Sequence, residues 1–193
     1  MRVIVCIFIL LGVACNNDSV DSPSLEKAES SMNADSAALR NLLINIYRWH
    51  GHQDIMDYDI IDSNHLNIRL DTHKLATHLL NMKKTDFFSR DFLMTYKKIG
   101  MRIDSLIQND STYAEAGLIY FDFQDFDTWC GGQGDTPIFN NMVVLNFSET
   151  GNKASFKWTI PEESVDTMSV NFIFEKGKWK LNHLQYIDLK HYK

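Results

Sequence analysis

The stretch MSVNFIFEKGKWKLNHLQYI, residues 168–187, is typical of two strands joined by a tight turn. Val170, Phe172 and Phe174 recur at every second position, which is the period of a strand that buries one face. The glycine of EKGK can adopt the positive φ that a short hairpin turn requires. We therefore predict an antiparallel hairpin at the end of the chain.

The second strand of this hairpin changes face along its length. Trp179 and Leu181 share one parity, whereas Leu184 and Tyr186 have the other. A single extra residue in a strand shifts the parity of all that follows, and such a bulge is common in antiparallel sheets. We predict a bulge near His183 that keeps all four apolar side chains inward.

Three earlier segments have the same β-branched and aromatic enrichment. They are GLIYFDF at 117–123, NMVVLNF at 141–147 and ASFKWTI at 154–160. The sequence SETGN between the last two is a second hairpin signal. The second half of the chain is therefore predicted to form an antiparallel meander.

The first half of the chain has the three-four apolar spacing of amphipathic helices. The first helix is predicted to begin at Asp35 or Ser36 and to end at Gly51. Its apolar stripe consists of Leu39, Leu42, Leu43, Ile46 and Trp49. At 1.5 Å per residue, such a helix is about 24 Å long.

Further helices follow after a weak strand signal in HLNIRLD, residues 65–71. Leu75, Leu79 and Met82 form a helical patch, and residues 85–110 continue the pattern until Gly100, where we predict a break into two helices. Helices first and strands after indicate an α+β domain. We expect a long N-terminal helix and shorter helices packed on a curved antiparallel sheet of four to five strands.

This layout resembles the nuclear transport factor 2-like, cystatin-like cone. More narrowly, three segments resemble a family of lipid-anchored bacterial proteins of unknown function: FFSRDFLMTYKKI, DFDTWCGGQGD and the closing GKWK strand. The resemblance covers roughly residues 36–188 and implies helices lying in the hollow of a curved sheet. The wider fold group includes polyketide cyclases, dehydratases, isomerases and many non-enzymes, so it does not decide function.

The first fifteen residues, MRVIVCIFILLGVAC, are typical of an export signal. The apolar run is too short for a membrane-spanning helix, which needs about 20 residues. Small residues before Cys15 resemble a bacterial lipobox, which implies cleavage before Cys15 and acylation of its thiol. Two or more acyl chains hold a protein stably on a bilayer. An ordinary cleaved signal is the alternative.

The resulting domain organisation has three parts. Residues 1–14 are expected to be a lipoprotein signal peptide, residues 15–34 the lipidated Cys15 and a polar, Ser-rich flexible tether, and residues 35–193 a single domain. Asn16 follows the cysteine where enterobacterial inner-membrane retention favours Asp. The expected location is therefore the cell envelope, at either face of the outer membrane.

Composition excludes some partners. The formal net charge is −6, which argues against binding to nucleic acid.

Cys6 leaves with the signal and Cys15 carries lipid, so Cys130 remains alone and the mature chain is expected to have no internal disulfide. Between Arg102 and Lys153 there is no Lys, Arg or His, and this acidic interval contains the segment DFDTWCGGQGDTP.

That segment, residues 125–137, has three possible interpretations. Cys130 as a nucleophile needs a nearby base and positive neighbours; only the fold could bring His50, His52 or His183 to it, and its sequence neighbours are acidic. The aspartates offer hard oxygens for calcium, but their spacing is not that of an EF-hand loop. A turn shaped by Asp hydrogen bonds and glycines is our prediction.

The His50–His52 pair can chelate metal, yet a role at the helix end is more typical. We expect no metal and no cofactor.

An apolar pocket at the open end of a cone is the default ligand site. Its predicted pocket or rim residues are Tyr47, Trp49, Tyr120, Asp122, Phe123, Asp125, Asp127, Trp129, Gln133 and Asp135. The alternative is that the aromatic residues among them simply fill the core.

We expect a lipid-anchored protein that binds an envelope protein or a small ligand through the acidic, aromatic 120–137 region, without catalysis. An immunity or inhibitor role is a variant of the same expectation. The alternative is a small polyketide-cyclase-like hydrolase or isomerase. It would use Asp122 or Asp127 as general base beside Tyr47 or Trp49, with a raised carboxyl pKa.

Overall fold

The computed structural model describes residues 34–53, 58, 60–62, 68–109, 129, 139–161 and 167–192. All of them belong to one compact unit, Met32–Lys193. The helices are α1 (Ala34–Gly51), α2 (Thr72–Thr85) and α3 (Arg90–Asn109), and the strands are β1 (Ile60–Asp62), β2 (Ile68–Leu70), β3 (Val143–Thr150), β4 (Lys153–Thr159), β5 (Met168–Glu175) and β6 (Lys178–Leu184). Three helices pack against a curved, open antiparallel sheet, which confirms the α+β prediction.

The main sheet is a meander with the strand order β3-β4-β5-β6. Both predicted hairpins are present, each with a two-residue turn. Gly151 has a φ of 61°, and Lys176 and Gly177 have φ values of 54° and 78°. Positive φ at both Lys176 and Gly177 is the geometry of a type I′ turn, whereas positive φ at Gly151 alone is that of a type II′ turn. The twist of both turn types matches that of the flanking strands.

The predicted bulge lies in β6. Asn171 pairs with His183, whereas the next residue, Phe172, pairs with Leu181. Asn182 is therefore the extra residue, one position from the predicted site. Leu181 and Leu184 are both fully buried, because the bulge restores the inward face after the change of parity.

The free edge of β6 is covered by the connection between α2 and α3. Leu181 donates its N–H to the Phe87 carbonyl at 2.8 Å and accepts from the Ser89 N–H at 2.9 Å. An uncovered edge strand offers unpaired backbone groups to other chains. These two bonds also fix the α2–α3 connection beside the end of the β5–β6 hairpin.

The helices differ from the prediction in two respects. First, α3 runs through Gly100 without a break, and with 20 residues it is longer than the 18-residue α1. A Cβ on Gly100 would lie 2.7 Å from Leu75 Cδ2, so this glycine permits the close approach of α2 to α3. Second, Phe88 lies in the β-bridge to Leu181, outside α3, although the helical pattern was predicted to run over residues 85–110.

The core lies between the helices and the sheet. Leu39, Leu43 and Ile46 of the predicted α1 stripe are fully buried against it. A buried Leu or Ile side chain contributes about 1.5–3 kcal/mol to stability. Among the described residues, no helix combines the length and the apolarity needed to cross a membrane.

Candidate functional site

Only three of the predicted pocket or rim residues are described: Tyr47, Trp49 and Trp129. The others lie outside the described residues, namely Tyr120, Asp122, Phe123, Asp125, Asp127, Gln133 and Asp135. The same holds for Cys15, Cys130 and the predicted strand 117–123. The ligand site predicted for this region stays a prediction.

Tyr47 and Trp129 lie in the interior, and the partly buried Trp49 packs against the same core. The Tyr47 hydroxyl donates a hydrogen bond of 2.8 Å to the Trp129 carbonyl, and both side chains are essentially unexposed, at 1% and 0%. The His50 ring stacks on Trp129 with 4.4 Å between centroids, and Phe139 stacks on Tyr47 at 4.0 Å. Offset stacking of this kind adds about 0.5–1.5 kcal/mol per pair beyond the burial itself.

More rings surround this centre, and we call the whole set the aromatic cluster. Its members are Tyr47, Trp49, His50, His78, Phe88, Phe92, Tyr96, Trp129, Phe139 and Trp158. His78 is fully buried, with its ring 5.7 Å from Trp49 and 5.5 Å from Tyr96. The cluster fills the space between α1, α3 and the sheet with close ring contacts.

A groove of about 860 Å³ opens on another face of the domain, where α2, α3 and the β5–β6 turn meet. Apolar residues from the two helices and their connection form part of its lining: Ala76, Leu79, Leu80, Phe88, Leu93 and Met94. Leu80 and Met94 are 52% and 44% exposed, and both line this one surface. The groove therefore offers accessible apolar area, unlike the aromatic cluster.

Charged side chains form the rest of the groove lining. The cations are Lys83, Arg90, Lys97, Lys176 and Lys180, and the carboxylates are Asp86 and Glu175. This excess of positive charge contrasts with the net charge of −6 on the whole chain. A surface whose sign opposes that of its protein attracts anions by local fields rather than by net charge.

Asp86 organises the basic end of the groove. It ends α2 in the left-handed conformation, with a φ of 60°, and its carboxylate contacts Lys178 Nζ at 2.8 Å and Lys180 Nζ at 2.5 Å. The hydrogen bonds from Lys178 and Lys180 lower the Asp86 pKa to about 2. Lys180 is only 8% exposed, so Asp86 compensates a nearly buried cation and ties β6 to the end of α2.

The sequence already contained a signal for this groove. On α2 the residues Ala76, Leu79, Leu80 and Lys83 have helical spacing, and so do Arg90, Leu93, Met94 and Lys97 on α3. Each series lies beside the stripe that faces the core, which made the two stripes hard to separate by periodicity alone. Only the packing of α2 against α3 shows that the outer stripes share one surface.

No group of three or more His, Cys, Asp or Glu side chains among the described residues is placed to hold a metal ion. Comparison with protein-family models, with curated proteins and with solved structures finds no match to this chain. The resemblance to a cystatin-like cone and to a lipoprotein family therefore stays a prediction.

Proposed function

We propose that this protein is a non-enzymatic binding module, held at the bacterial outer membrane by lipid on Cys15. The observation that carries the binding role is the contrast between a filled interior and an open groove. The Tyr47 hydroxyl is already engaged by the Trp129 carbonyl in a closely packed cluster. The groove instead exposes Leu80 and Met94 beside several cations.

The predicted 120–137 region remains part of this proposal as a second contact surface. The polyketide-cyclase-like alternative needs Asp122 or Asp127 beside an accessible Tyr47 or Trp49. Two features weigh against it: Tyr47 is 1% exposed, and its hydroxyl is used in a structural hydrogen bond. A general base must also reach the proton that it removes, which requires room for substrate.

The anchor is tested by fractionating a bacterial host that expresses the full chain. We expect the protein in the outer-membrane fraction, with diacylglycerol and an acyl chain on the N-terminal Cys15 peptide by mass spectrometry. Cys15→Ser should abolish the acylated peptide, because serine has no thiol to modify. An N-terminal peptide without acyl groups in the unchanged protein would refute the anchor.

The binding role is tested on the same membranes with photo-crosslinking residues placed at the groove, at Leu80 and Met94. We expect a discrete crosslinked product at both positions and none at Met101, which is 51% exposed but does not line the groove. Equal labelling at all three positions would mean that the groove has no occupant of its own.

A further inference from the structure

The cations around the groove define the charge of its occupant. Lys83, Arg90, Lys97 and Lys176 are exposed, and no carboxylate of the described residues forms an ion pair with them. Lys180, in contrast, already forms an ion pair with Asp86. These four cations outnumber Glu175, which also lines the groove, so the surface favours an anion and would repel a cationic ligand.

The distribution of charge along the groove is uneven. A four-residue connection joins α2 to α3, and Leu75 lies against Gly100, so the two helices run in opposite directions. Lys83 and Arg90 therefore lie together near the connection. The exposed Leu80 and Met94 lie one turn further along their helices, with Lys97 on their flank.

Apart from Lys97, the cations lie at one end of the groove, and the apolar residues form its floor. Lys176 and Lys180 of the β5–β6 hairpin add to the basic end, whereas Leu79 and Leu93 continue the floor between the helices. An amphipathic helix would instead place apolar anchors at i, i+3, i+4 and i+7 in a groove, with charge beside them along its whole length. A head group attached to one alkyl chain matches the observed order more closely.

We propose that this groove binds a single-chain anionic amphiphile as a monomer, with its head group on Lys83, Arg90 and Lys176 and its alkyl chain on Leu80, Leu93 and Met94. The inference rests on the proposed function, because it names the ligand of the same binding surface. The groove volume of about 860 Å³ lies within the range of small-molecule sites. Met94 is an adaptable side chain that suits a flexible alkyl chain.

Photo-crosslinking with dodecanoate that carries a diazirine at the chain end tests this directly. The full chain is held in phosphatidylcholine nanodiscs, and crosslinked peptides are located by mass spectrometry. We expect label on the α2 and α3 peptides that contain Leu80 and Met94. Excess unlabelled dodecanoate should remove it, whereas dodecyltrimethylammonium, with the same chain and the opposite charge, should not.

Two double variants provide a matched comparison. Lys83→Glu/Arg90→Glu reverses two of the cations assigned to the head group, and Lys84→Glu/Lys98→Glu reverses two cations of the same helices that are exposed but do not line the groove. Both variants have the same net charge. Charge-assisted contacts of ordinary strength predict about a tenfold higher competing concentration of dodecanoate for the first variant and little change for the second.

Three results would overturn the proposal. Equal competition by the two detergents of opposite charge would indicate unspecific partition of alkyl chains. Label outside α2 and α3 would place the site elsewhere. Recruitment to anionic bilayers by nanodiscs rich in phosphatidylglycerol, with no competition by monomeric dodecanoate, would indicate a membrane-facing surface instead.

The outcomes also separate this inference from the proposed function. A protein that is acylated on Cys15 and gives a crosslinked product at the groove, yet does not bind dodecanoate, keeps the proposed function and loses the ligand class. A protein that binds dodecanoate in the groove without acylation at Cys15 loses the anchor and keeps the ligand class.

Discussion

The aromatic cluster and the groove both contain large apolar side chains, but they differ in what surrounds these side chains. Around Trp129, rings from α1 and α3 close the space, and the hydrogen bond from the Tyr47 hydroxyl to the Trp129 carbonyl is internal. Leu80 and Met94 instead line an open groove together with lysine and arginine side chains. Aromatic richness marks the interior of this protein, and uncompensated charge beside exposed apolar surface marks its candidate binding face.

The largest expected effect is loss of the cluster's central ring. Trp129→Ala should lower the free energy of unfolding by about 3–5 kcal/mol, because it leaves a cavity among rings that cannot collapse onto it. Urea unfolding measures this change, and Met94→Ala in the groove is the control with little expected effect. A loss below that of Met94→Ala would contradict a packed cluster.

The close approach of α2 to α3 is tested at Gly100. Gly100→Val places atoms against Leu75, Tyr58 and Leu70, so we expect a loss of about 1–3 kcal/mol by overpacking. Met101→Val is the matched control, since Met101 is exposed on the next position of the same helix. Equal stability of the two variants in thermal unfolding would show that the helices are not in tight contact.

The basic end of the groove has a pH dependence that follows from Asp86. Its folded pKa of about 2 lies below the ordinary 3.8, so the carboxylate stabilises the fold above pH 4 and loses this contribution as the pH falls towards 2. Asp86→Asn keeps a residue that tolerates the left-handed conformation but removes the charge. We expect a melting temperature a few degrees lower at pH 7.

That difference between Asp86→Asn and the unchanged protein should shrink steadily below pH 4 and nearly vanish near pH 2. High salt should reduce it as well, because the Asp86 carboxylate is partly exposed and its ion pairs are screened. A difference that is constant from pH 7 to pH 2 would assign the effect of Asp86→Asn to the backbone rather than to the ion pairs.

The smallest expected effect on stability lies on the groove floor. Leu80→Ser and Met94→Ser should each change the free energy of unfolding by no more than about 0.5 kcal/mol, because about half of each side chain is exposed. The same variants should weaken dodecanoate binding. Stability losses comparable to that of Trp129→Ala would mean that these residues belong to the core.

Most of the fold follows from sequence patterns that act locally. The hairpin glycines, the change of parity in β6 and the α1 stripe each have one dominant cause, so alternation, φ preference and helical spacing were enough. The continuation of α3 through Gly100 could not be predicted from such local patterns. It depends on Leu75, which lies 25 positions earlier and contacts the glycine only after α2 packs on α3.

The candidate site was harder to predict from the sequence than the fold was. Tyr47, Trp49 and Trp129 have the composition of a ligand pocket, but composition does not distinguish a pocket from a core. Lys83 and Arg90 look like ordinary solvated helix residues until the α2–α3 connection brings them together beside Asp86. Charge that converges from different elements is visible only in three dimensions.

The most direct test of the contrast between cluster and groove compares the two matched charge reversals in the dodecanoate experiment. Our account predicts that Lys83→Glu/Arg90→Glu needs about ten times more dodecanoate to suppress labelling at Leu80 and Met94, with an unchanged melting temperature, while Lys84→Glu/Lys98→Glu behaves like the unchanged protein. Identical dodecanoate competition in both double variants would contradict it.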